Sequence, residues 1–138
     1  MMRACSAALY HVILQLHSVS SLATDSEKLG IETMKLEHWD IDSAANRDRI
    51  TQWAREKKPA FIIGNSKNKT LEQIRFICGL YQLQVSEGRW FAHEQPENAS
   101  AWKLKEVASL KKVEGMFDSD FGPGIHALSF GFECASVG

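Results

Sequence analysis

The residues best suited to chemistry gather in one short stretch, His93-Glu94-Gln95-Pro96. An imidazole beside a carboxylate, held just before a proline-rigid turn, can exchange protons or join a metal site. Asp40, Asp42, Asp118 and Asp120 add carboxylates in two Asp-x-Asp pairs. Such pairs can share a divalent cation with water, but they more often sit in solvated turns. His11, His17, His38 and His126 have no ligand spacing, so no metal site is expected. Cys5, Cys78 and Cys134 are odd in number and form no CxxC pair, which argues against a disulfide framework or a structural zinc. Cys78 falls on an apolar stripe and is expected to be a small core residue. Lys67, Lys69, Arg75, Lys103, Lys105, Lys111 and Lys112 could make a nucleic-acid face, with Trp90 and Trp102 able to stack a base. A solvated face and core tryptophans are the competing explanations.

These groups need elements to position them. Ser43 is a candidate N-cap for a helix over residues 44–57 that Pro59 ends, with Ile50, Trp53 and Ala54 on one face. Ala60-Phe61-Ile62-Ile63-Gly64 is a short, continuous apolar run, as expected of a strand buried on both faces. Residues 65–69 read as a polar loop. Thr70-Leu71-Glu72-Gln73 fits a capping box. Behind it, Leu71, Ile74, Ile77, Cys78, Tyr81 and Val85 repeat at helical spacing until Gly88. Residues 89–95 predict a strand, Pro96 a turn, and Ser100 the cap of a third helix over 101–113. One strand is expected within 127–132. Alternating strand and helix predict an α/β domain with a mostly parallel, partial Rossmann-like sheet flanked by helices.

The chain has 138 residues, 44% hydrophobic and 24% charged, with a formal net charge of −1. That balance suits one globular domain and excludes a global basic field that would announce nucleic acid. No apolar run is long enough for a membrane span, so no membrane partner is expected. Met1-Met2-Arg3, the apolar run 4–16 and Ser21-Leu22-Ala23 outline a secretory signal, which Tyr10, His11 and Gln15 interrupt. The triplets beginning at Asn68 and Asn98 fit glycosylation sequons, which are common by chance. An intracellular protein, cytoplasmic or nuclear, is therefore the expectation, with secretion as the alternative. The expected organisation is a poorly specified leader or N-terminal helix (1–33), an α/β domain (34–115) and a Gly- and aromatic-rich tail (116–138).

Three stretches together carry a resemblance. They are Trp39-Asp40-Ile41-Asp42, then Lys58-Pro59-Ala60-Phe61-Ile62-Ile63-Gly64, then residues 88–96 (Gly-Arg-Trp-Phe-Ala-His-Glu-Gln-Pro) with Ala99-Ser100-Ala101-Trp102. The series resembles the cytosine-5 DNA methyltransferase-like domain of some mobile-element and viral polyproteins, over residues 36 to about 115. The resemblance implies a class I methyltransferase-like fold, S-adenosylmethionine as cofactor and DNA as partner. In that family a cysteine thiolate attacks a flipped cytosine while a glutamate holds the exocyclic amine and ring nitrogen. Glu94 matches that catalytic glutamate. His93 and Gln95 flank it and, with Arg89, are the implied substrate contacts. Asp40 matches the acid that meets the cofactor adenine.

The departures fall on the chemistry itself. Where the family has Pro-Pro-Cys after the hydrophobic strand, this chain has Asn65-Ser66-Lys67-Asn68-Lys69. An unactivated hydroxyl such as Ser66 does not replace a thiolate. No glycine precedes Gly30, so the glycine-rich cofactor loop is missing as well. The expectation is a degenerate S-adenosylmethionine-dependent DNA methyltransferase-like domain without catalysis. The alternative is a non-catalytic interaction or nucleic-acid-binding remnant of a mobile-element polyprotein. Half of a doubly wound sheet would also leave an unpaired edge, from which self-association is expected.

Overall fold

The computed structural model describes residues 12–16, 32–35, 41–65, 69–122 and 124–131. Among these residues are six strands, β1 (Val12–Leu16), β2 (Glu32–Lys35), β3 (Phe61–Asn65), β4 (Trp90–Pro96), β5 (Met116–Gly122) and β6 (Ile125–Phe130). They form one mixed sheet in the order β2-β1-β3-β4-β6-β5. The first four run parallel, while β6 is antiparallel to both β4 and β5. The protein is thus a mixed α/β domain, and its sheet is not parallel throughout. β1 occupies the second half of the apolar run expected as a leader or helix, and the stretch expected as a tail supplies a hairpin rather than a single strand.

Helix α1 (Ala44–Lys57) starts where the sequence predicts. The Ser43 hydroxyl accepts the Asn46 N–H at 3.4 Å. It stops because Lys58 turns left-handed, with φ at 49°, and donates its N–H to the Ala54 carbonyl. Pro59 then prevents any continuation.

Helix α2 (Leu71–Ser86) has a complete capping box: Gln73 N–H donates to the Thr70 hydroxyl at 3.1 Å, and Thr70 N–H donates to Gln73 Oε1 at 2.9 Å. Thr70→Ala removes the first of these bonds and is expected to cost about 1 kcal/mol, whereas Thr70→Ser should cost much less. Urea denaturation of the two variants checks this.

The third helix departs from expectation. Residues 100–103 form a 3-10 turn (Ser100–Lys103) without a side-chain cap, Leu104 is extended at ψ 137°, and only then does α3 (Lys105–Lys111) begin. Ala101, Leu104, Val107 and Leu110 are all buried, so the apolar spacing of a single helix survives across the break.

One core joins the layers. Ile50 and Ala54 of α1, Ile77 and Leu80 of α2, and Val107 and Leu110 of α3 share it with Ile62, Phe91 and Leu128 of the sheet. At its centre Tyr81 stacks on Phe91, with ring centroids 4.3 Å apart and planes 13° from parallel. Alternate residues Phe91, His93 and Gln95 are buried, while Trp90, Ala92 and Glu94 on the opposite face are only partly so. No helix among the described residues is long and apolar enough to cross a membrane.

Candidate functional site

In an open α/β sheet the carboxyl ends of parallel strands are where loops diverge and leave a crevice. Here β3 and β4 end in register, with Asn65 paired to Glu94. A cavity of about 430 Å³ opens beyond them, a size usual for small-molecule sites. Asn65, Lys69, Glu94, Gln95 and Ser100 bring polar groups to it. Leu71 and Ile74 from the first turn of α2, together with Pro96, Ala101 and Ile125, make much of its wall apolar. Leu71 is 44% exposed at the rim of this wall.

The two charged residues of the cavity both feel its low polarity. Burial raises the Glu94 carboxyl above its ordinary value. Burial also lowers the Lys69 ammonium to about 8. Lys69 Nζ donates to Asn65 Oδ1 at 3.0 Å, and Lys69 makes no ion pair among the described residues. The arrangement offers a carboxylate, an amine and an amide to one ligand between apolar walls.

His93 is differently placed. It points under α2, is 3% exposed, and its ring is held at both nitrogens. The Tyr81 hydroxyl lies 2.7 Å from Nδ1 and Gln95 Oε1 lies 3.1 Å from Nε2. A neutral ring protonated at Nε2 satisfies both, donating to Gln95 and accepting from Tyr81. Burial drives the imidazole down to about 4, against a smaller opposing effect of the Gln95 bond. His93 is therefore a neutral strut that orients Gln95, whose Nε2 is buried without a partner.

Arg89 is not brought to the cavity. It stands at the other end of β4, where Nε donates to Gln84 Oε1 at 2.9 Å and the guanidinium pairs with Glu87. Asp40 lies outside the described residues. Cys78 is a core residue, and burial, followed by the Glu106 charge, pushes its thiol up to about 12, where no thiolate forms at neutral pH.

Two of the basic residues are held by acidic partners or an aromatic ring. Arg75 pairs with Glu106, and Lys111 pairs with Asp118 while lying 4.6 Å above the Trp102 ring. Lys67 lies outside the described residues. Asp118 and Asp120 take the His126 ring between them, one carboxylate at each nitrogen. Among the described residues no group of three His, Cys, Asp or Glu side chains could hold a metal ion.

Asn65 and Lys69 are the site residues that the sequence did not single out together. Their only signal was position, directly after a strand run that ends beside Glu94. Compared with protein-family models, curated proteins and solved structures, the chain matches none.

Proposed function

We propose that this chain is a degenerate cytosine-5 DNA methyltransferase-like domain that receives a single unstacked base in the Glu94 cavity and transfers no methyl group. The observation that carries the reading is the half-buried Glu94 carboxylate at the end of a parallel strand, lining a cavity of about 430 Å³ that is large enough to admit a base. A carboxylate there accepts from the exocyclic amine of cytosine and repels the carbonyl oxygen that thymine presents at the same position. The strand order β2-β1-β3-β4 supports a partial Rossmann-like sheet, because it follows the centre of a doubly wound fold around its first strand.

The residues do not fit S-adenosylmethionine. A nucleotide-like cofactor needs glycines after the first strand so that the backbone can approach it. β1 is followed instead by His17-Ser18-Val19-Ser20-Ser21. The thiol needed for attack on the ring is also lacking, since no cysteine stands between Gly64 and Thr70 and Cys78 is locked in the core. Binding is what these side chains can do.

Fluorescence anisotropy with labelled single-stranded oligonucleotides that differ at one position, dC, dT or abasic, tests the reading. A preference for dC of about tenfold or more is expected, the scale of one well-made base contact. Glu94→Gln should reduce it to near parity, because an amide can face either base. Equal affinity for all three oligonucleotides would refute base binding at this site. Methyl transfer from labelled S-adenosylmethionine would refute the non-catalytic reading.

A further inference from the structure

We propose that Lys69 is a Schiff-base lysine, and that the cavity it lines takes small neutral aldehydes or ketones with an apolar body. This does not rest on the base-binding reading; it follows from how the amine is held. Lysine ammonium groups are strongly hydrated and normally reach for water or a carboxylate. Lys69 does neither fully: it is partly buried in a cavity with largely apolar walls, anchored by one 3.0 Å bond to Asn65 Oδ1 and free of any ion pair among the described residues. A lysine desolvated in an apolar pocket is activated as a nucleophile because its neutral form becomes accessible near neutral pH. The lowered value of about 8 agrees with that placement.

The other components of the step line the same cavity. The neutral Lys69 amine attacks the carbonyl carbon; a C–N bond forms, and the carbonyl π electrons move to oxygen, which takes up a proton. The nitrogen of the resulting carbinolamine gives up a proton. The C–O bond then breaks, water leaves with a second proton on its oxygen, and the nitrogen lone pair closes the C=N bond. The iminium nitrogen then gives up its remaining proton, so that the balance is amine plus carbonyl to imine plus water, with no oxidant or reductant. Glu94, whose carboxyl is raised by burial, is the group in the cavity suited to carry those protons. Leu71 at 44% exposure and Ile74 suit an apolar body, and the Glu94 charge disfavours an anionic one.

Benzaldehyde with sodium cyanoborohydride at pH 7 traps the imine as a stable secondary amine, read by intact mass and peptide mapping of the full chain. Lys69 should be modified at least about tenfold faster than the exposed Lys103 and Lys105, because its amine is desolvated in the cavity. Its rate should saturate with benzaldehyde concentration, while theirs rises linearly. Lys69→Arg should remove that fast adduct and leave the circular dichroism spectrum unchanged. Labelling of Lys69 no faster than Lys103, or a rate at Lys69 that rises linearly without saturation, would overturn the proposal on the wild-type chain alone.

Discussion

Between pH 7 and pH 4 the folded state is expected to lose about 3 kcal/mol of stability through one side chain, His93. Burial holds the folded imidazole neutral down to about 4, from an ordinary value of 6.5. Above 6.5 neither the folded nor the unfolded chain protonates this ring, so His93 contributes no slope. Below 6.5 the unfolded chain takes up the proton and the folded chain does not, which favours unfolding by about 1.4 kcal/mol for each pH unit until the folded ring titrates near 4. Glu94 acts in the opposite sense. Its folded value is raised, so acidification lets the folded chain bind that proton first and relieves part of the burial cost. Urea denaturation at pH 7, 6, 5 and 4 measures the sum, and two variants separate it. His93→Gln, neutral throughout and able to bond Tyr81, should flatten the curve even if it lowers stability at pH 7. Glu94→Gln should steepen it. An unchanged slope in His93→Gln would remove the buried histidine from the acid response.

The same strand shows what a sequence can disclose. Local rules carried the reading wherever a neighbour in sequence is also the physical partner. Ser43 caps with Asn46, and Thr70 exchanges bonds with Gln73, so both helix starts were legible. Glu94 drew notice as a carboxylate beside His93 just before Pro96, and it lines the cavity. Pairings formed at long range were not. On β5 the residues that share a face with the buried Leu128 of β6 include Asp118 and Asp120, which close on His126. That face carries charges where strand alternation would want apolar side chains, so the hairpin hid in its own sequence. The break at Leu104 hid for the converse reason, since the 3-10 turn keeps Ala101 and Leu104 on the buried side. Lys69 read as one of several lysines. Only the pairing of β3 with β4 brings it beside Glu94, and no periodicity encodes that.

At the opposite end of β4, Gln84→Leu is expected to cost about 3 kcal/mol, the scale of several broken buried hydrogen bonds, one of them to a guanidinium. Gln84 is 0% exposed and ties three segments together. Its Nε2 donates to the Pro59 carbonyl at 2.9 Å and to the Trp90 carbonyl at 2.8 Å, while Oε1 accepts from Arg89 Nε at 2.9 Å. Leucine has similar bulk, so cavity formation contributes little and the loss reports the hydrogen bonds. Pro59 precedes β3 and Trp90 opens β4, so this amide joins the amino ends of the two strands whose carboxyl ends carry the cavity. Arg89 belongs to that clasp, with Nη2 buried and without a partner. Arg89→Met should therefore cost about 1 kcal/mol in urea denaturation and leave the dC preference intact. A loss of the dC preference in Arg89→Met at unchanged stability would return Arg89 to the binding site. Loss of stability alone identifies it as part of the scaffold that keeps Asn65 and Glu94 in register.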